Sequence, residues 1–364
     1  MHIGILTYYG VHNHGAVLQA NALKTVLEDL GHNVEFLLFD RDYAFMQQEQ
    51  VRKYKIGFNS IPFYLKYTLR NGLGNVAYNY KKRRTLDTYR KDHLILKTNY
   101  KSFDGDVIVI GSDEVYSLEV GFNPMLFGIG LKSKKKISYA ASFGPTDFTA
   151  IKKLCKEDTI AKALNQMNCI SVRDLNSQAL VKQLTGMDVP IVCDPVILYG
   201  YKREMGEKIG DDSNFILVYA YDGRMNDVKE VELVKEFAKK HGKKLYSVGF
   251  YHKWCDKNIN VTPNQLIQYV RKASLVITDT FHGSVLSIIC NTPMTVKVRN
   301  NANKLKYLLL EYGLADRIIS DFGELEKVSV NNLDFDAVNK RIDEKRKFSF
   351  NYLSQALEMK NVAY

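Results

Sequence analysis

Short hydrophobic runs alternate along the chain with longer stretches that have a helical period. Residues 2–7 predict a buried strand, and residues 16–30 carry leucine and valine side chains three and four positions apart, which is typical of an amphipathic helix. Gly31 ends that helix, and residues 33–39 predict a second strand. A strand, a helix and a strand in this order build a parallel sheet.

This alternation continues to about residue 290 and is interrupted once. Further strands are predicted at residues 106–110, 136–141, 169–172, 190–193, 215–221, 244–248 and 274–278, and helices at 151–164, 177–184, 226–241, 263–272 and from His282 onward. A polar, glycine-containing connector at residues 200–214 separates the two sets. The pattern predicts an α/β fold of two Rossmann-like domains, with ligands bound in the cleft outside the carboxyl ends of the strands.

The two predicted domains differ in their additions. The N-terminal domain covers residues 1–205 and carries a helical insert at about residues 41–101, and the C-terminal domain covers residues 213–325. A charged amphipathic helix at residues 334–361 follows, and we expect it to pack back on the N-terminal domain.

The charge of the chain is concentrated in one segment. The 364 residues include 51 Lys and Arg against 40 Asp and Glu, and 46% are hydrophobic, a composition that excludes a disordered protein. Residues 41–101 hold 14 Lys and Arg against four Asp and Glu, so they supply +10 of the net charge of +11. The rest of the chain is therefore close to neutral.

Aromatic residues lie between the cations of this insert, as in the segment IPFYLKYTLR. That composition is typical of a helix at a membrane interface, which would place the protein peripherally on the anionic inner face of a membrane. The alternative is a solvated helical pair whose aromatic side chains pack on the first domain. Zinc-finger spacing, an RNP-like strand and a P-loop are all missing from the sequence, so nucleic acid is not favoured as a partner.

The five cysteines are at least fourteen residues apart and form no metal-ligand spacing, so we expect neither a zinc site nor a cofactor. Isolated thiols of this kind are typical of a reducing compartment. The N-terminus lacks the pattern of a signal peptide, and no apolar run is long enough to span a membrane. The sequence therefore predicts a cytoplasmic protein.

Three loops follow predicted strands, where this architecture places its active groups. The first, residues 8–19, contains His12, Asn13 and His14 before a helix whose free N–H groups favour an anion; the alternative is a tight turn in which these side chains act as caps. The second loop covers residues 111–117, and the third covers residues 279–284.

The third loop holds the strongest candidate for acid–base chemistry. His282 lies at the start of an apolar helix, Gly283 would allow close approach of a ligand, and Asp279 or Thr280 could orient the imidazole. The alternative is a histidine that only caps the helix.

Six blocks occur in a fixed order, namely HNHGAVLQA, VIVIGSDEVYS, ISYAASFG, CISVRDLNSQAL, VCDPVIL and TDTFHGSVLSIICNTP. With these blocks the chain resembles the polysaccharide pyruvyl transferase family over about residues 1–320. The resemblance implies a GT-B-like pair of Rossmann domains. It also implies transfer of a pyruvyl group from phosphoenolpyruvate, a co-substrate, to two hydroxyls of a sugar, which forms a cyclic ketal on a cell-surface polysaccharide or its precursor.

The resemblance and the chemistry of phosphoenolpyruvate together suggest roles for the donor side. His282 is our candidate for the acid. Arg173 is our candidate for the side chain that binds the donor carboxylate or phosphate. The alternative for Arg173 is an ion pair with Asp174 or another acid. Lys304 matches a family lysine that contacts phosphate, and Arg299 could substitute for it. Gly283 and Ser284 would complete the donor site.

For the acceptor we expect contacts from His12, Asn13, His14, Ser112, Asp113 and Tyr116. Family members often have Gln-Val-Trp after the GSD block, whereas this chain has Glu114, Val115 and Tyr116, which keeps an aromatic platform for a sugar but changes its chemistry. Asp113 could instead cap a helix, and Asp194 before a proline is interpreted as a structural turn.

The acceptor could be a polyprenyl-diphosphate-linked saccharide. Two other functions stay open at this point: a GT-B glycosyltransferase that uses a nucleotide-sugar, and a non-catalytic scaffold that binds glycan or nucleic acid through the basic insert.

Overall fold

Two parallel sheets form the framework of the computed structural model, which describes residues 1–40, 61–119, 121–206, 214–299, 303–329, 331 and 333–358. Residues 41–60, the first part of the predicted insert, lie outside the described residues.

The first sheet belongs to the N-terminal half of the chain, which we call the first lobe. Its strands are β1 (His2–Leu6), β2 (Asn33–Leu38), β3 (Leu96–Asn99), β4 (Val107–Ile110) and β5 (Lys135–Ser138), in the order β3-β2-β1-β4-β5. In the central strands β1 and β4 every residue except His2 is apolar or glycine and is buried, as expected for a parallel sheet covered by helices.

The second sheet belongs to the C-terminal half, the second lobe. Its strands are β6 (Phe215–Tyr219), β7 (Lys244–Val248), β8 (Lys257–Ile259), β9 (Leu275–Thr278), β10 (Met294–Lys297) and β11 (Ile318–Ile319), in the order β11-β10-β9-β6-β7-β8. The paired strands are parallel in both sheets.

The α-helices of the described residues are α1 (His14–Asp29), α2 (Ile61–His93), α3 (Phe148–Lys153), α4 (Glu157–Asn165), α5 (Leu175–Thr185), α6 (Pro195–Tyr199), α7 (Val228–Lys240), α8 (Pro263–Lys272), α9 (Phe281–Ile289), α10 (Asn303–Glu311), α11 (Leu325–Ser329) and α12 (Phe335–Glu358). Side-chain caps begin many of them, as where Asp174 accepts a hydrogen bond from Ser177 N. None of the described helices has both the length and the apolar character needed to cross a membrane.

Most of the predicted elements are confirmed, with three differences. The helical insert predicted at about residues 41–101 includes β3, which pairs with β2 at the edge of the first sheet. The predicted strands at residues 169–172 and 190–193 make only isolated bridges beside β5. The predicted helix at 151–164 is two helices, α3 and α4, because Cys155 between them has a positive φ of 51° that ends the first.

Two helices cross from one lobe to the other. Helix α2 lies between β2 and β3 in sequence, yet its Tyr78 hydroxyl donates to Ile259 O at 2.8 Å and its Tyr89 hydroxyl to Asn264 Oδ1 at 2.8 Å in the second lobe. Helix α12 follows the second lobe in sequence, yet Ser349 Oγ accepts from Cys193 N at 2.9 Å in the first lobe. These contacts couple the lobes on either side of the cleft.

Candidate functional site

The loops that follow β1, β4, β6 and β9 meet between the two lobes, together with Asp194 at the start of α6 and Lys304 at the start of α10. Three contacts join the lobes across the cleft: Lys304 forms an ion pair with Glu114, Asn13 Nδ2 donates to Tyr221 Oη at 3.4 Å, and His282 Nε2 lies 3.8 Å from Asp194 Oδ2. Polar side chains from both lobes thus form one cluster at the carboxyl ends of the strands, where this fold binds ligands.

His282 is buried in the first turn of α9, directly after the N-cap Thr280. Its Nε2 has no hydrogen-bond partner within the described residues. Burial lowers the pKa of His282, and Asp194 and Asp113 oppose that shift only in part. The imidazole is therefore neutral at pH 7 and holds an unused ring nitrogen beside the cluster.

Gly15 sets the position of the His282 ring from the opposite lobe. A Cβ atom at Gly15 would overlap the imidazole, so only glycine permits this approach. Asn13 fixes the same turn, because it caps α1 and accepts a hydrogen bond from Gly15 N at 2.9 Å. The first turn of α1 therefore forms a wall against the histidine, a role that the sequence did not reveal for Gly15.

Arg173 is almost fully buried and joins two carboxylates. Its Nη1 donates to Asp194 Oδ2 at 2.8 Å and its Nη2 to Asp113 Oδ1 at 3.3 Å, while the guanidinium carbon lies 4.4 Å from the centroid of the Phe281 ring. The structure thus contains the ion pair that was the alternative interpretation, but Asp174 is not the partner because its carboxylate caps α5. Nε of Arg173 has no partner in the described residues.

Lys304, at the start of α10, reaches across the cleft to Glu114. Both side chains are partly exposed at the mouth of the site. Burial lowers the pKa of Lys304 and Glu114 raises it, with a net upward shift, so the amine is charged. Position 114, where family members often have glutamine, therefore carries a carboxylate that pairs with Lys304, the residue that the resemblance matches to a phosphate-binding lysine.

The cluster holds more carboxylates than cations. Burial raises the pKa of Asp113, but Arg173 and the other positive groups around it together more than offset this, so Asp113 is ionised. Asp113, Glu114 and Asp194 face Arg173 and Lys304 around the neutral His282. An anionic ligand would add to this excess of negative charge, so its binding favours uptake of a proton.

Asp279 and Thr280, which were predicted to orient His282, contact other groups instead. The Asp279 carboxylate accepts from Arg299 Nε at 2.8 Å and lies 3.8 Å from Arg224, and Thr280 Oγ1 accepts from Gly283 N as the helix cap. Arg299, predicted for the donor, is held by Asp279 and by Glu230 at 2.9 Å. The carboxylate beside His282 is instead Asp194, and its other oxygen accepts from Val196 N, which is the predicted structural turn.

Gly283 and Ser284, predicted to contact the donor, are buried in helix packing. A Cβ atom at Gly283 would overlap the hydroxyls of Thr278 and Thr280, so the glycine allows α9 to lie close to β9 rather than admitting a ligand. Ser284 Oγ donates to Thr280 O at 3.2 Å within the helix. Neither Gly283 nor Ser284 therefore presents a free side-chain polar group to the cluster.

Three of the predicted acceptor residues are also occupied elsewhere. His12 Nε2 lies 3.1 Å from Asp87 on α2. His14 is fully buried with Nε2 at 2.9 Å from Val261 O, and burial lowers its pKa to about 3. Ser112 is fully buried and its hydroxyl donates to Gln19 Oε1 at 2.6 Å.

Tyr116 is not available as a stacking surface for a sugar. Its side chain is fully buried, with its ring stacked 4.8 Å from Phe127 and packed against Phe143. Of the predicted acceptor residues, Asp113 and Asn13 remain at the cleft, Asp113 beside Arg173 and Asn13 beside Tyr221.

The structure therefore brings His282, Arg173, Lys304 and Asp113 together, and it adds Asp194, Glu114, Phe281 and Tyr221. The motif order placed Asp194 in a separate block, and only the fold brings it to the histidine. Within the described residues, no group of three or more His, Cys, Asp and Glu side chains is arranged to hold a metal ion.

The sequence and the fold were compared with known proteins. The family model described as polysaccharide pyruvyl transferase matches residues 13–301, which is most of the chain. A search of curated proteins found no match.

The solved structures that resemble the chain share its architecture. A putative UDP-N-acetylglucosamine 2-epimerase from Listeria monocytogenes is 10% identical with a TM-score of 0.52, over 99% of this chain and 97% of that one. UGT89C1 of Arabidopsis thaliana in complex with quercetin is 9% identical with a TM-score of 0.50, over 98% of this chain and 99% of that one. At such identities the likeness concerns the fold alone, and it confirms the predicted GT-B-like pair of α/β domains.

Proposed function

The chain belongs to the polysaccharide pyruvyl transferase family and is a transferase, and from this premise we propose that it moves a pyruvyl group from phosphoenolpyruvate to two hydroxyls of a sugar. The product is a cyclic ketal on a cell-surface polysaccharide or its precursor. The observation that carries the proposal is the buried His282, with an unpartnered Nε2, beside Arg173 and Lys304 in the cleft between the lobes.

The reaction requires charge stabilisation and one proton at carbon. Both sugar hydroxyls bond to C2 of phosphoenolpyruvate, and the bond between C2 and the phosphate oxygen breaks. The methylene carbon gains one proton to become a methyl group, and the phosphate leaves with the other. Fixed cations that hold the donor anions, and an acid at the methylene carbon, are the groups such a reaction uses.

The charges of the cluster support this division of roles. In the proposal Arg173 and Lys304 bind the donor carboxylate and phosphate, which brings negative charge next to the neutral imidazole of His282. That charge raises the pKa of His282, as Asp194 and Asp113 already do in part. The histidine therefore becomes a proton donor when the donor substrate is present.

Phosphate release from phosphoenolpyruvate tests the function directly. We would supply the purified protein with phosphoenolpyruvate and a panel of galactosyl, mannosyl and glucosyl acceptors, and follow phosphate and product mass. We expect phosphate release that depends on one class of acceptor, with a mass gain of pyruvic acid less water. A His282→Gln variant with an unchanged circular dichroism spectrum should release none.

A parallel reaction with sugar nucleotides separates the alternatives. Release of a nucleoside diphosphate, with phosphoenolpyruvate unused, would identify a glycosyltransferase and contradict the proposal. Turnover of neither donor, together with strongly salt-dependent binding of nucleic acid, would identify a binding scaffold.

We further propose that the acceptor is a lipid-linked saccharide reached by docking of α2 on an anionic membrane. Helix α2 is kinked at Gly72. Leu69 is exposed before the kink, Leu73 and Tyr80 are exposed after it, and the exposed cations Lys81, Arg83 and Arg84 follow Tyr80 directly. Each such cation contributes about 1 kcal/mol near anionic lipid. Lys82 and Arg90 are buried and Tyr78 and Tyr89 contact the second lobe, so only part of the helix is available for docking.

Flotation with liposomes of anionic phospholipid tests the docking. Replacing Lys81, Arg83 and Arg84 with glutamine should abolish flotation, whereas the same change of charge at Lys152, Lys153 and Lys156 in the first lobe should not. Equal flotation of both variants and the unmodified protein would contradict docking through α2.

A further inference from the structure

Tyr221 is an accessible aromatic residue at the cleft. It lies two residues after β6 and is 39% exposed, whereas Tyr219, Phe250 and Phe281 are buried. Burial is the largest of the effects that raise the pKa of its phenol. Part of the surface of Tyr221 nevertheless remains open to a ligand.

Neighbouring residues hold this ring in a fixed orientation. Asn13 Nδ2 donates to its hydroxyl oxygen at 3.4 Å from the first lobe, the Arg224 guanidinium carbon lies 4.9 Å from the ring centroid, and the Phe250 ring meets it at 78° with centroids 5.4 Å apart. A ring that is already ordered loses little conformational entropy when a ligand covers it.

Tyr221 also borders the group of residues that would carry the chemistry. Lys304, Glu114 and Asp113 are close enough for their charges to act on its phenol. Asn13, which contacts its hydroxyl, is two residues before Gly15, which lies against His282. A ligand on the ring would therefore lie next to both the imidazole and the cations.

We propose that Tyr221 forms the acceptor subsite, where the apolar face of a pyranose ring packs on the phenol ring, and that Asn13 is a positioning residue that holds the phenol from the first lobe. This inference rests on the proposed function and supplies the aromatic surface that Tyr116, enclosed by Phe127 and Phe143, does not offer. Sugars bind aromatic faces through their C–H groups, which carry partial positive charge toward the negative face of the ring.

Steady-state kinetics with acceptor and donor varied separately would test the subsite. We expect Tyr221→Ala to raise the KM of the acceptor about tenfold, which corresponds to about 1.4 kcal/mol, and to leave the KM of phosphoenolpyruvate unchanged. Tyr221→Trp keeps an aromatic face and should retain most of the acceptor binding, whereas Tyr221→Phe keeps the ring but loses the hydroxyl that Asn13 holds, so its KM for the acceptor should lie between those of the unmodified protein and Tyr221→Ala. Phe350→Ala removes an exposed aromatic side chain from helix α12 and serves as the matched control.

Saturation-transfer NMR of the saccharide, recorded without phosphoenolpyruvate, gives a readout that does not depend on turnover. Saccharide signals with the unmodified protein and their loss in Tyr221→Ala would support the subsite even if no phosphate is released, a result that would overturn only the proposed function. An unchanged acceptor KM and unchanged saturation transfer in Tyr221→Ala would overturn the subsite. So would a selective rise in the KM of phosphoenolpyruvate, or the absence of transfer to every saccharide in the panel.

Discussion

His282 Nε2 lies 3.8 Å from the same Asp194 oxygen that accepts a hydrogen bond from Arg173. One buried carboxylate therefore contacts both the imidazole and the guanidinium. In the proposed reaction His282 supplies the proton and Arg173 binds the donor anion, so Asp194 links the two roles. The sequence separates these three residues by many positions, and the fold makes them a unit.

Asp194→Asn should lower the pKa of His282 further, because the negative charge that opposes desolvation is removed. The amide oxygen can keep the cap of α6, whereas the amide NH2 cannot accept from Arg173, so that hydrogen bond is lost together with the charge. We expect the falling limb of the kcat profile to move to lower pH and kcat at pH 7 to fall about tenfold or more. Asp279→Asn, which alters the carboxylate held by Arg299, is the control and should leave the profile in place.

The pH dependence of turnover should distinguish the free enzyme from the donor complex. In the free enzyme burial holds the pKa of His282 below its ordinary value, so kcat/KM for phosphoenolpyruvate should fall as pH rises above that low pKa. Bound carboxylate and phosphate raise the pKa, so kcat should fall only at higher pH. Identical midpoints for the two profiles would contradict donor-induced protonation.

Glu114→Gln should strengthen binding of the donor. The carboxylate of Glu114 competes with a donor phosphate for Lys304, and the pair is partly exposed, so its removal should lower the KM of phosphoenolpyruvate about threefold to tenfold. Lys304→Met should raise that KM, and adding Glu114→Gln to Lys304→Met should bring no gain. A gain of equal size in both backgrounds would show that Glu114 acts by another route.

Gly15→Ala should displace the His282 ring, because a Cβ atom there would overlap the imidazole. A shift of about 1 Å in a catalytic group costs about a hundredfold in rate. We expect kcat to fall about a hundredfold, whereas the thermal unfolding midpoint should change little. Gly223→Ala adds a methyl group where no atom lies within 4 Å and should be neutral in both measurements.

Lys82 should make the free energy of unfolding depend on pH in the alkaline range. Its ammonium is buried against the Phe250 ring at 3.9 Å, and burial lowers its pKa to about 8. Between that value and the ordinary lysine pKa of about 10.4 the unfolded chain binds a proton that the folded chain does not, so the free energy of unfolding rises with pH in this window.

Replacing Lys82 with methionine should therefore stabilise the protein by about 2 kcal/mol at pH 7, with the difference shrinking toward pH 10. Urea unfolding at pH 7, 9 and 10 measures this, and Lys81→Met at an exposed neighbouring position is the control. A constant difference across the three pH values would contradict a buried charge at Lys82.

Local patterns predicted the frame of the site better than its contacts. Strand ends followed by polar loops located Asp113, Arg173 and His282, because the order of strands and helices alone fixes which edge of a sheet a loop occupies. Asp279 was the expected partner of His282 because it is near in sequence, but its carboxylate accepts a hydrogen bond from Arg299 instead. The partner Asp194 could not be predicted, because its position depends on how the two lobes face each other.

The other differences between prediction and structure concern which aromatic side chains are buried. Tyr116 follows a motif at a strand end, and nothing in the sequence indicates that Phe127 and Phe143 close over it. Tyr221 belongs to no motif block, yet it is exposed at the cleft with its hydroxyl held by Asn13 of the opposite lobe. Exposure of an aromatic side chain is a property of packing, which hydrophobic periodicity does not report.

The crossing helices have a consequence for how such enzymes change over evolution. Helix α2 is encoded with the first lobe but bonds to Ile259 and Asn264 of the second, and α12 is encoded after the second lobe but bonds to Cys193 of the first. Exchanging either half for the corresponding half of another GT-B protein would break these contacts. We therefore expect a new specificity to arise more readily by substitutions in the loops of the cleft, which leave the contacts in place.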